Sequence, residues 1–116
     1  MLFGAAATET FWSTVKAEYQ REDGGRGSVQ FDVKFKRIPR DRVDALIEEN
    51  KGTQDADLTF CREVVVDWRK VKDDDGSDVP FSQENPDRLM EMYKIGFCGP
   101  IVTTFIRTLP QAKQKN

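Results

Sequence analysis

The chain has 116 residues, a third of them charged, with 18 Lys and Arg against 20 Asp and Glu and a formal net charge of −2. This length suits one domain with a single core, and the charge balance gives no global positive field for binding nucleic acid. Histidine is absent, which removes the commonest general base and most transition-metal sites. No apolar run approaches the ~20 residues of a membrane span. We therefore expect a noncatalytic domain with no cofactor and with no nucleic-acid or membrane partner.

Two segments alternate between apolar and polar residues, as β-strands with one buried face do. They cover residues 11–19 and 29–36, and residues 21–28 between them are glycine-rich and polar. Their apolar sides carry Phe11, Val15, Ala17, Tyr19, Val29, Phe31, Val33 and Phe35. The pattern predicts an antiparallel β-hairpin with an exposed tip at residues 21–28. Trp12 falls on the opposite side, where it would be available to a partner if helices cover the apolar side.

Two helices are expected next. The first covers residues 41–50, with Asp41 able to cap it, and the second runs from residue 55 to about 66, with Thr53 or Asp55 as its cap. The stripe of the first helix is Val43, Leu46 and Ile47. Residues 64–66 are all valine and fit a helix or a strand about equally. The Asp75-Gly76 step then predicts a small hairpin or an Ω-like loop, and the spacing of its aspartates does not match a calcium-binding EF-hand.

Two further helices complete the expected elements. The third begins with Asn85 as its cap and Pro86 in its first turn, and Gly96 supplies its left-handed exit. The fourth begins at Gly99 and ends before Pro110. Its predicted apolar stripe is Val102, Phe105, Ile106 and Leu109.

These elements predict an α+β fold: an N-terminal antiparallel β-hairpin followed by about four short helices in a single small domain of residues 10–109. Residues 1–9 are expected to be a flexible apolar arm, which lacks the basic residues of a secretory signal. Residues 110–116 are expected to be a disordered polar tail. Cys61 and Cys98 have apolar neighbours and are expected to be reduced core residues, with a disulfide or a reactive thiol as the alternatives.

No catalytic, cofactor-binding or metal-binding residue is expected, and the remaining candidates are protein-binding residues. They are Leu2 and Phe3 in the arm and Trp12 and Tyr19 on the first strand. Trp and Tyr are frequent interface anchors, and docking the arm in the groove of a neighbouring copy would remove its apolar side chains from water. For Trp68, burial in the core is favoured over an interface role.

The order of these segments resembles the tail assembly chaperones of long-tailed (siphovirus) bacteriophages, in their short form. In that family an aromatic strand and a Gly-containing turn precede a strand ending in Phe-Lys-Arg-Leu-Pro, which reads Phe35-Lys-Arg-Ile-Pro39 here. A Trp-centred segment and an Asp-Gly turn leading to Val-Pro-Phe-Ser follow, matched by residues 63–68 and 75–86. The similarity covers about residues 10–108. It departs at Ser13-Thr14, where the family often has further aromatic residues or proline.

The resemblance implies a noncatalytic chaperone that binds the phage tape measure protein and helps recruit the major tail tube protein during tail polymerisation. It also implies self-association into an open spiral or ring, action in the cytoplasm of the host bacterium and absence from the mature virion. A longer form made by translational frameshifting is common in the family. The alternatives are a phage structural component, such as a head-tail joining or tail completion protein, and a small host regulatory adaptor.

Overall fold

The computed structural model describes residues 9–72, 75–81 and 87–109. These residues form β1 (Thr10–Gln20), β2 (Arg26–Lys36), α1 (Arg40–Glu49), α2 (Ala56–Val64), β3 (Val65–Arg69), α3 (Asp87–Lys94) and α4 (Cys98–Thr108). The strands form one antiparallel sheet in the order β1-β2-β3, and the core lies between one face of this sheet and the helices. The predicted α+β fold, a hairpin followed by four short helices, is confirmed, and the structure adds a third strand.

The hairpin has a uniform register along its whole length, in which Thr10 pairs with Lys36 and Gln20 pairs with Arg26. Its loop is therefore residues 21–25, shorter than the predicted tip of residues 21–28. The ladder extends further because Gly27 pairs with Tyr19 and leaves space for that ring. A Cβ at Gly27 would lie only 2.5 Å from a Tyr19 ring carbon, so glycine here permits close cross-strand packing and does not mark a loop.

Phe105 of α4 is at the centre of an aromatic cluster in the core. The centroid of its ring lies 5.1 Å from that of Phe35, 5.6 Å from that of Phe60 and 6.3 Å from that of Phe11. Phe35 and Phe105 are both fully buried, with relative exposures of 0% and 1%. One cluster therefore holds α2 and α4 against both strands of the hairpin.

The predicted apolar stripes of α1 and α4 are buried at their central residues but exposed along one edge. Ile47 of α1 and Ile106 of α4 were expected in the core, but they are 49% and 40% exposed. In α4 the buried positions include Cys98, Ile101 and Phe105, at the i, i+3, i+7 spacing of one face. Ile106 lies one residue further round the helix, and an apolar stripe does not show which of its two edges meets the sheet.

The expected helix starts and stops have mixed outcomes. The N-cap of α1 is Pro39, which makes no side-chain capping hydrogen bond, so Asp41 is not the N-cap residue. Asp41 instead lies in the first turn, where its Oδ1 accepts the N–H of Arg42 at 3.0 Å. Asp55 occupies the N-cap of α2 but also makes no side-chain capping bond. The predicted start of α3 at Asn85 and Pro86 lies outside the described residues.

Gly96 ends α3 as predicted. Its φ is +83°, a value that glycine adopts without strain. Its N–H donates to the carbonyl of Tyr93 at 3.0 Å, and the N–H of Phe97 donates to the carbonyl of Met92 at 2.9 Å. These two bonds form a Schellman motif, which satisfies carbonyl groups at the helix end.

Residues 65–69 form β3, which resolves the choice between helix and strand at the three valines. Val64 is the last residue of α2, and Val65 pairs with Phe35 on β2. Trp68 is buried as expected, and its indole N–H donates to the carbonyl of Val79 at 2.7 Å. A bridge between residues 72 and 78 then closes the small hairpin predicted around the Asp-Gly step.

Both cysteines are buried and free, as favoured by the sequence. The Cys61 thiol donates to the carbonyl of Cys98 at 3.7 Å, and the Cys98 thiol donates to the carbonyl of Leu89 at 3.8 Å. The pKa of the Cys61 thiol is raised above its ordinary value, first by hydrogen bonding to the Cys98 thiol and then by burial. We therefore treat Cys61 as an inert core thiol.

Candidate protein-binding surface

One face of the sheet is not covered by any described helix. Because side chains alternate along a strand, the even-numbered residues of β1 and β2 point to this face. Arg69 of β3 lies beside Asp32 in the sheet and faces the same way. We call this surface the outer face, and its residues are Trp12, Thr14, Lys16, Asp32, Lys34 and Arg69.

Asp32 lies at the centre of the outer face and is only 7% exposed. The Thr14 hydroxyl donates to its Oδ1 at 3.0 Å, and Arg69 Nε donates to its Oδ2 at 2.9 Å. Lys70 Nζ lies 3.5 Å from the same Oδ2. The pKa of Asp32 is lowered chiefly by the hydrogen bond from Arg69, which opposes the effect of burial, with Thr14 and Lys70 acting in the same direction as Arg69. The carboxylate is therefore charged at neutral pH and orients the guanidinium group.

The guanidinium group of Arg69 also packs on Trp12. Its central carbon lies 4.1 Å from the centroid of the Trp12 ring, and Lys34 Nζ lies 5.9 Å from that ring. Cation–π contacts at exposed sites contribute about 0.5–1 kcal/mol each. Trp12 remains 36% exposed. Arg69 therefore links the buried carboxylate to an indole that is held in place and still accessible to a partner.

Lys70, the residue after β3, has a φ of +66°, the positive value expected mainly at glycine. A side chain in this left-handed conformation costs about 1–2 kcal/mol, and strain of this kind is concentrated at functional positions. Its amine joins the charged cluster around Asp32. The cations of this region are Lys16, Lys34, Arg69 and Lys70, and the carboxylates beside them are Asp32, Asp67 and Glu18, of which Glu18 is paired with Arg26 at 2.9 Å. The outer face is thus locally basic on a chain of net negative charge.

Of the four predicted protein-binding residues, the structure describes Trp12 and Tyr19 and places them apart. Trp12 belongs to the outer face, whereas Tyr19 has the opposite strand parity and lies near the hairpin tip, about 24 Å away along β1. Tyr19 is 39% exposed and its ring covers Gly27. Leu2 and Phe3 lie outside the described residues. Trp12 and Tyr19 therefore do not belong to one site.

Asp32, Arg69 and Lys70 were not identified from the sequence. A signal for Asp32 existed, because Thr14 and Asp32 both fall on the polar sides of the two hairpin strands and become partners once the register is known. Arg69 carried no such signal, since its position on the outer face depends on the pairing of β3 with β2.

Among residues 9–72, 75–81 and 87–109, no group of three or more Cys, Asp or Glu side chains could hold a metal ion. No helix in this part of the chain is long and apolar enough to cross a membrane. No protein-family model matches the chain, and no significant match to it was found among curated proteins or solved structures.

Proposed function

We propose that this protein is a tail assembly chaperone of a long-tailed bacteriophage. In this role it binds the tape measure protein, helps recruit the major tail tube protein and leaves before the virion is complete, all in the cytoplasm of the host bacterium. The sequence support is the ordered resemblance over about residues 10–108. The structural observation that carries the proposal is Trp12, held by Arg69 on the outer face and still accessible.

The outer face has the residue types of a protein-binding surface. Trp and Arg dominate the energetic centres of interfaces, and the aliphatic stems of lysines extend an apolar contact area while their amines stay in water. A long helical tape measure chain exposes an apolar stripe with charged flanks. In the proposed complex this stripe packs on Trp12, while acidic residues beside it pair with Lys16 and Lys34.

The same proposal includes self-association. β1 is an 11-residue strand that pairs only with β2 among the described residues, so its other edge has free backbone groups. An open strand edge can accept a strand from another copy. A contact that joins two different surfaces propagates into an open spiral or closes into a ring, and either form would place many outer faces along one tape measure chain.

The proposal is tested by co-expression with the tape measure protein encoded by the same phage. Covering the apolar stripe removes the surface that drives aggregation, so the wild-type chain should keep the tape measure protein in the supernatant. Trp12→Ala should abolish most of this rescue. Ile106→Ala is the matched control, because Ile106 is exposed to a similar extent, 40% against 36%, but lies on α4.

A charge reversal adds a second comparison that leaves the aromatic contact in place. Lys16→Glu on the outer face should weaken the rescue, and the weakening should shrink at high salt. Lys51→Glu makes the same charge change at an exposed residue in the turn after α1 and should have no effect. Equal rescue by wild type, Trp12→Ala and Lys16→Glu would refute binding through the outer face.

A further inference from the structure

A second surface lies at the end of the sheet, between the start of α1 and the end of α4. It is a groove of about 550 Å³, within the ~300–1,000 Å³ range typical of binding pockets. The Arg37 guanidinium carbon lies 4.5 Å from the centroid of the Phe11 ring at this groove. Its apolar lining consists of Phe11, Ile38, Phe105 and Leu109, and its polar lining consists of Arg37, Arg40, Asp44 and Thr108.

The two ends of the domain meet at the rim of this groove. The carbonyl of Glu9 accepts the N–H of Arg37 at 2.7 Å, so residues 1–8 begin beside a residue that lines the groove. Leu109 also lines it, so residues 110–116 begin there as well. The two segments differ in chemistry, because residues 110–116 are mostly polar and basic whereas residues 1–3 are Met, Leu and Phe. Of the two, only the N-terminal segment has large apolar side chains that match the apolar residues of the groove.

We infer that the groove binds Leu2 and Phe3 of its own chain. Five residues separate Phe3 from Glu9, and the six steps between them span at most ~20 Å when extended. Residues 4–7 are Gly-Ala-Ala-Ala, which have no large side chains. A short tether gives a local concentration in the millimolar range, well above that of a second copy in a micromolar solution. Docking removes two large apolar side chains from water. It also withdraws both residues from other partners, and it is independent of the proposed chaperone function.

Disulfide trapping in the full-length chain tests this inference. Gly4→Cys is paired with Thr108→Cys, which places one thiol next to the intact Leu2 and Phe3 and the other in the groove wall. The native cysteines are 0% and 1% exposed and should not compete. The control pairs Gly4→Cys with Ser28→Cys, which lies about 30 Å from Arg37 along β2 and beyond the reach of the arm.

After mild oxidation, the groove pair should form an intramolecular disulfide at least tenfold faster than the control pair, at a rate that does not change on dilution. Replacing Leu2 and Phe3 by serine in the groove pair should slow the reaction at least tenfold, because tethering alone would then remain. A disulfide-linked dimer as the main product would overturn the inference in favour of docking on a second copy. An unchanged rate in the double-serine variant, or equal rates for the groove and control pairs, would overturn apolar docking altogether.

Discussion

Replacing Phe105 by alanine tests the aromatic cluster most severely. Truncating a buried Phe costs about 3–5 kcal/mol through lost transfer free energy and an unfilled cavity. Phe105 is 1% exposed and contacts the rings of Phe11, Phe35 and Phe60, and each aromatic pair adds about 0.5–1.5 kcal/mol beyond the buried area. We therefore expect a loss near the upper part of the range, about 4 kcal/mol in the free energy of unfolding.

Urea unfolding followed by tryptophan fluorescence measures this loss. With a denaturant slope of about 2 kcal/mol per molar, a loss of about 4 kcal/mol lowers the midpoint by about 2 M. Ile106→Ala, one residue along the same helix, is the control and should cost less than about 1 kcal/mol because its side chain is partly exposed. If Phe105→Ala does not fold, Phe105→Leu should still show a measurable loss. A loss below about 1 kcal/mol for Phe105→Ala would refute the burial of this ring.

The thiols of Cys61 and Cys98 should react with a thiol reagent only as the protein unfolds; fast reaction of both in the folded state would contradict their burial. Asp32→Asn should lower the free energy of unfolding by about 1 kcal/mol at pH 7. Folding lowers the pKa of Asp32, so the stability that its carboxylate contributes is fully present above the ordinary pKa of 3.8 and is lost as the pH falls through the lower pKa of the folded state. The free energies of unfolding of Asp32→Asn and wild type should therefore converge in acid, and a difference that stays constant with pH would contradict this. Gly96→Ala should destabilise the fold by about 1 kcal/mol because residue 96 has a positive φ. Gly99→Ala in the first turn of α4 should be neutral or stabilising by up to ~1 kcal/mol. If thermal melts show Gly99→Ala to be the less stable of the two variants, the left-handed exit at Gly96 and the helical conformation of Gly99 would both be contradicted.

The sequence predicted those features of the fold that depend on neighbouring residues. Alternation over residues 11–19 and 29–36 specified the hairpin because a period of two places every second side chain on one face. Gly96 marked the end of α3 because few other residues adopt its positive φ without strain. Both signals are local, and the structure confirms both.

The features that were missed depend on contacts between distant residues. Three consecutive valines suit a helix or a strand, so the start of β3 at Val65 is decided by pairing with β2 and not by intrinsic propensity. The ion pair of Asp32 and Arg69 joins residues 37 positions apart through that pairing. The orientation of Ile47 and Ile106 depends on which edge of each helix meets the sheet, and the apolar pattern does not contain this information.

A tail assembly chaperone must bind the tape measure protein during assembly and leave before the virion is complete. Quantitative mass spectrometry can determine the number of copies of this chain per tape measure protein. It is applied to tape measure complexes purified from infected cells before tails are complete, and to finished particles. The proposal predicts many copies per tape measure protein in the assembling complexes and fewer than one in the virion. Many copies in the virion would instead identify a structural component, and no copies on the tape measure protein before completion would contradict a chaperone.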